Sequence, residues 1–112
     1  MSRGSAINPT EQLVLLALAR LDDDGYGVRI RREIEERTGR SVSTTAVYAA
    51  LERLERQELI SSSLSEPLPE RGGRARRLFH LREAGAEVLQ RERAAADRMW
   101  EGLDRHPLFS KR

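Results

Sequence analysis

Apolar positions recur every three or four residues through four stretches of this chain, and between the third and fourth the pattern gives way to two short runs that read as strands. The stretch Ser41–Ile60 organises the rest. Val47, Leu51 and Leu54 fall at i, i+4 and i+7 and line up one apolar stripe, while Thr44, Thr45, Tyr48, Ala49, Glu52 and Arg53 project elsewhere. Ser43 stands where a helix cap belongs. The small, hydroxyl-rich surface that follows it coincides with the unpaired N–H groups and the positive end of a helix dipole, a setting that suits a phosphate or a base edge. An ordinary surface helix with a polar outer face would carry the same stripe, so the flanking elements decide between the two readings.

Upstream, Met1–Ile7 has no periodicity and is expected to be a mobile arm. Asn8, Pro9 and Glu11 then form a helix start, with a cap, a proline at the first helical position and a glutamate three residues after the cap. The helix they open is apolar on most sides through Leu13, Val14, Leu15, Leu16, Leu18 and Leu21, which requires burial against the other helices or against a second subunit. Asp22, Asp23, Asp24 and Gly25 read as a solvated turn, because three adjacent carboxylates lack the spacing of a cation-binding loop. A second helix ends at Gly39, with Val28, Ile30 and Ile34 expected to point inward. Only Arg40–Val42 separates it from the central stretch, which is the spacing of a helix-turn-helix.

Beyond the central helix, Ile60–Leu64 and Ala75–Leu81 are the two strand runs, joined by Ser65–Arg74 with its two prolines and two glycines. A hairpin with an arginine-rich tip directly after a recognition-type helix is a wing. From Arg82 to about Leu103 the pattern is helical again, with Ala84, Val88, Leu89, Ala95, Ala96, Met99, Trp100 and Leu103 at spacings of three and four. That stripe is too long for one small core, so its partner is either a second copy of the chain or the first helix. The fold class that results is mostly α with a small β-hairpin (α+β): a winged helix-turn-helix over 1–81, a carboxy-terminal helix over 82–103 suited to dimerisation, and a short basic tail over 104–112.

Composition narrows the function. A chain of 112 residues has room for one modest core but not for a deep active site on a separate scaffold. The absence of cysteine removes disulfides, thiolate zinc sites and cysteine nucleophiles. His80 and His106 are the only histidines and form no spaced catalytic set with Asp97 or Asp104, so no enzyme, metal site or cofactor is expected. No run is long and apolar enough for a membrane span and no signal peptide is recognisable, from which a cytoplasmic location is expected. The net charge of +2 conceals an uneven distribution: Arg71, Arg74, Arg76, Arg77 and Arg82 fall within twelve residues that hold no acid. Arginines so placed neutralise phosphates and confer affinity without sequence information. Sequence would be read by Thr44, Thr45 and Ala49 at thymine methyls or base edges, with Tyr48 reaching a phosphate and Arg53 the one residue able to fork onto a guanine. A winged helix that docks an acidic protein instead of DNA is the alternative.

The run YGVRIRREIEERTGRSVSTTAVYAALERLERQELI, followed by PERGGRARRLFHLREAG, resembles the PadR family of winged-helix transcriptional regulators, in particular its short members with a single carboxy-terminal helix. That resemblance covers roughly Leu13 to Leu103 and implies a homodimer bound to an inverted-repeat operator on double-stranded DNA, usually as a repressor. It further implies that Thr44, Thr45 and Tyr48 face the DNA, beside which Ser43 is a further DNA-binding candidate, and that the last helix carries the dimer interface, for which Val88, Ala95, Met99 and Leu103 are the expected seam. A small-molecule effector, unidentified, could lodge against Trp100 between subunits. Three residues depart from the family pattern: Glu58 stands in place of the glycine after the recognition helix, Arg82 in place of a threonine cap, and Leu78 in place of an aromatic on the wing. A left-handed backbone at Glu58 is therefore expected to cost about 1 kcal/mol.

Overall fold

A computed structural model describes residues 7–65 and 76–110. Helix α1 spans Pro9–Leu21 and begins with the expected reciprocal cap: the Glu11 N–H donates to Asn8 Oδ1 at 2.7 Å and the Asn8 N–H donates to Glu11 Oε1 at 2.9 Å. A 3-10 turn over Asp22–Asp24 leads into α2, Gly27–Thr38, which stops at Gly39 in the left-handed conformation that glycine adopts without a Cβ penalty. Helix α3, Thr44–Arg56, follows after a turn whose Val42 packs on the core, and the Ala46 N–H donates to its cap, Ser43 Oγ, at 3.0 Å.

Strands β1, Ile60–Leu64, and β2, Arg77–Leu81, pair antiparallel with Ile60 opposite Leu81 and Leu64 opposite Arg77. Tyr26 bridges to Leu78 on the free edge of β2, so the chain entering α2 acts as a short third strand and ties the helix-turn-helix to the hairpin. Helix α4, Glu83–Trp100, closes the fold. Leu15, Leu18, Ile30, Val47, Leu51, Leu54 and Ile60 make one fully buried cluster, with Phe79 from β2 and Val88 from α4 completing it. All of the central stripe is thus inside, joined by Ala50.

Five expectations are corrected. Ile7 packs against the core rather than belonging to a free arm; residues 1–6 lie outside the described residues. Val28 is 55% exposed, because it sits in the first turn of α2 on the side opposite Ile30 and Ile34. Leu16, placed with the apolar positions of a buried helix, is 43% exposed in a groove between α1 and α4. The second strand begins at Arg77, and Arg76, just before it, instead exchanges hydrogen bonds with Ser65. The last helix ends at Trp100, since left-handed Gly102 turns the chain into a 3-10 turn over Leu103–Arg105.

Candidate nucleic-acid interface

Three segments converge on one side of the molecule: the amino-terminal half of α3, the first turn of α2 and the root of the hairpin. Tyr48 holds the first two together. Its ring reaches across to α2, and a Cβ at buried Gly27 would collide with the Tyr48 hydroxyl, so the absence of a side chain at position 27 is what admits the ring. Tyr48 still leaves 45% of its surface exposed, and its hydroxyl has no hydrogen-bond partner among the described residues. Thr44 and Thr45 are exposed, Ser43 keeps an exposed surface beside its cap bond, and Ala49 is half-buried.

The hairpin is fixed to both helices through polar contacts. The Arg76 guanidinium lies 4.0 Å from the centroid of the Tyr26 ring, a cation–π stack that pins the root of the wing over the start of α2. Ser62 Oγ on β1 donates to Glu55 Oε2 of α3 at 2.6 Å, and Arg77 Nη1 of β2 reaches the same hydroxyl at 3.4 Å. Between α3 and β2 these residues leave an open cleft of about 400 Å³ lined by Tyr48, Leu51, Glu52, Glu55, Arg77 and Phe79. Arg76 and Arg77 are both exposed beside it, whereas Arg71 and Arg74 fall outside the described residues.

Arg53 is tied to α1 through one of its nitrogens while its side chain stays 40% exposed. Its Nε donates to Glu11 Oε2 at 2.6 Å, and Glu11 is itself only 4% exposed in α1. Glu11 also accepts from the Asn8 N–H, so this bond draws the Arg53 Nε toward the α1 side of α3. Nothing in the local sequence signals this pairing, because Glu11 is already accounted for as a capping residue and lies 42 positions away. Tyr26, Glu55 and Ser62 were equally silent: each acts through a neighbour that only the folded chain supplies.

The expected seam on α4 divides. Val88 is 4% exposed and belongs to the core of its own subunit, since the first two turns of α4 dock on α1. Leu103 lies beyond the helix, half-buried in the 3-10 turn. Ala95 and Met99 remain on the exposed part of α4, Met99 at 78%. Trp100 is 58% exposed and takes Phe109 edge-on at 5.4 Å. A groove of about 440 Å³ lies between α1 and α4, lined by Leu16 and Ala19 of α1 and by Leu89, Arg93 and Ala96 of α4 among others.

Comparison with known proteins bears directly on this arrangement. The profile of the transcriptional regulator PadR-like family matches residues 14–91, from the first helix through the wing into α4. The chain belongs to that family. That family is one of transcriptional regulators. A PadR family transcription regulator from Clostridium difficile superposes with a TM-score of 0.71 at 23% identity, covering 87% of this chain and 96% of that one. A PadR-like transcription factor from Bacteroides fragilis gives a TM-score of 0.69 at 20% identity, covering 84% and 85%. Both likenesses establish the winged-helix fold. An uncharacterized 37.1 kDa protein in transposon Tn4556 of Streptomyces fradiae is 39% identical over 85 residues, or 76% of this chain. The PadR-like chain spans 22% of the length of that relative. Among the described residues no helix is long and apolar enough to cross a membrane.

Proposed function

We propose that this PadR-like protein is a sequence-specific DNA-binding repressor that acts as a homodimer on an inverted-repeat operator. Helix α3 enters the major groove with Thr44, Thr45, Tyr48 and Ala49 foremost, and the wing lies along the adjacent backbone with its arginines on phosphates. The observation that carries the reading is the junction of Tyr48, Gly27, Tyr26 and Arg76, which sets an exposed hydroxyl-rich helix end and the basic root of the wing side by side. Two-fold pairing is supported by the exposed second half of α4 beside the groove that contains Leu16, a surface suited to a second copy of the same helix. Trp100, on that surface, is the place assigned to an aromatic effector.

Selection of bound duplexes from a random pool tests the reading. Recovery of two related half-sites in inverted orientation, with centres about one helical turn apart, is the expected result. A protein-docking wing would show little affinity for any duplex even at low salt, and that result rejects DNA binding. Because Trp100 is the sole tryptophan, quenching of its fluorescence by flat aromatic compounds reports directly on the effector assignment.

A further inference from the structure

With the Arg53 Nε bonded to Glu11 on the flank of α3, the centre of the outer face carries a different charged residue. Thr45, Ala49, Glu52 and Arg56 fall at i, i+4, i+7 and i+11, a single row that faces away from buried Val47, Ala50, Leu51 and Leu54. The Glu52 side chain is 76% exposed, and its one ion pair among the described residues is with Arg56 at 3.8 Å, too long for a hydrogen bond. Its carboxylate oxygens therefore keep their acceptor capacity. Glu55, one turn along, is different in kind, since it already accepts from Ser62.

We infer that Glu52 is a specificity-determining residue that reads cytosine, accepting a hydrogen bond from the exocyclic amino group at one position of each half-site. This rests on the DNA-binding reading above. The base follows from the acceptor-only chemistry of an ionised carboxylate. In the major groove guanine presents two acceptors and thymine an acceptor and a methyl, all unfavourable to it. Adenine offers an amino donor, but with the N7 acceptor beside it. Cytosine alone presents a donor with no competing acceptor. A carboxylate held over guanine or thymine gains no bond, over adenine it meets the N7 acceptor beside the donor, and in each case it lies near phosphates of its own sign, so Glu52 also lowers affinity for wrong sequences.

The test compares the intact chain with Glu52→Ala and Glu52→Gln by selection from a random duplex pool, followed by titration against the selected duplex and its single-position variants. The wild-type chain is expected to prefer cytosine about tenfold at one position per half-site. Glu52→Ala should reduce that preference below about twofold at that position alone, and should raise affinity for random duplex at low salt by removing the repulsion. Glu52→Gln should move the preference at the same position toward adenine, whose N6 and N7 match an amide. Thermal unfolding should be unchanged in both variants, because the side chain is exposed. An undiminished cytosine preference in Glu52→Ala overturns the assignment, as does a wild-type preference for another base at the affected position. Failure of the wild-type chain to bind duplex at low salt rejects the DNA-binding reading itself and Glu52 readout with it.

Discussion

At Glu58 the backbone takes a φ of 64°, a left-handed conformation that costs a residue with a Cβ about 1 kcal/mol. The reason it is tolerated lies in the bonds around it: the Leu59 N–H donates to Leu54 O at 3.0 Å and the Glu58 N–H to Glu55 O at 2.9 Å, the paired closure that satisfies the last carbonyls of α3. Buried Leu54 and Leu59 supply the apolar contact that goes with it. Glu58→Gly is accordingly expected to raise stability by about 1 kcal/mol and the melting temperature by roughly 4 °C. A lower melting temperature would show that loss of glycine's freedom in the unfolded chain outweighs the relief. Tyr48 is expected to separate binding from folding in the opposite way. Tyr48→Phe keeps the ring over Gly27 and removes an exposed hydroxyl, so affinity for the operator should fall by about 1 kcal/mol with no change in melting temperature.

On the scale of elements, the predictions concern arginines at the roots of the wing and of α4. Replacing Arg76 and Arg77 with alanine should weaken binding to all duplexes alike and flatten the log–log dependence of affinity on salt by about two. A changed sequence preference with the salt slope intact would sink the assignment of these arginines to phosphates. Helix α4 starts at Arg82 without a side-chain cap, so orphan N–H groups in its first turn go unserved by the residue best placed to reach them. Arg82→Thr restores a hydroxyl there and is expected to add about 1 kcal/mol to stability, read from chemical denaturation. Equal midpoints for the two proteins would mean that the first turn of α4 finds its partners in solvent.

For the whole molecule, the question is what covers the outer half of α4. Its first two turns are committed to the core through Gly85 and Val88, while Ala95, Met99 and Trp100 carry on into solvent in a particle of 58 × 37 × 21 Å. In the proposed dimer, joining two copies through that surface would make modest readout useful, because one winged helix contacts only a few base pairs and two half-sites at fixed spacing add specificity. If the proposed dimer forms through this surface, Met99→Glu would bury an unpaired charge in it at a cost of several kcal/mol. Sedimentation should show monomers, and operator binding should drop sharply. A variant that remains dimeric and binds normally would move the interface off α4.

How far the sequence reached follows the range of the forces involved. The caps at Asn8 and Ser43, the stop at Gly39 and the stripe of Val47, Leu51 and Leu54 were legible because each depends on residues within two helical turns. The wing strands were legible for the same reason, apart from the start of β2, where Arg76 bonds to Ser65 across the hairpin instead of continuing the strand. Periodicity says which face of a helix is apolar but not what stands opposite it. Periodicity therefore puts Val28 and Leu16 in the interior, where packing leaves them half exposed, and puts Val88 on a seam between subunits, whereas it is buried in the core. The charged residues show the limit most clearly. Sequence alone puts Arg53 among the outward residues of α3, and only the packing of α1 across that helix, bringing Glu11 within 2.6 Å over 42 positions, decided that the Arg53 Nε would brace α3 against α1.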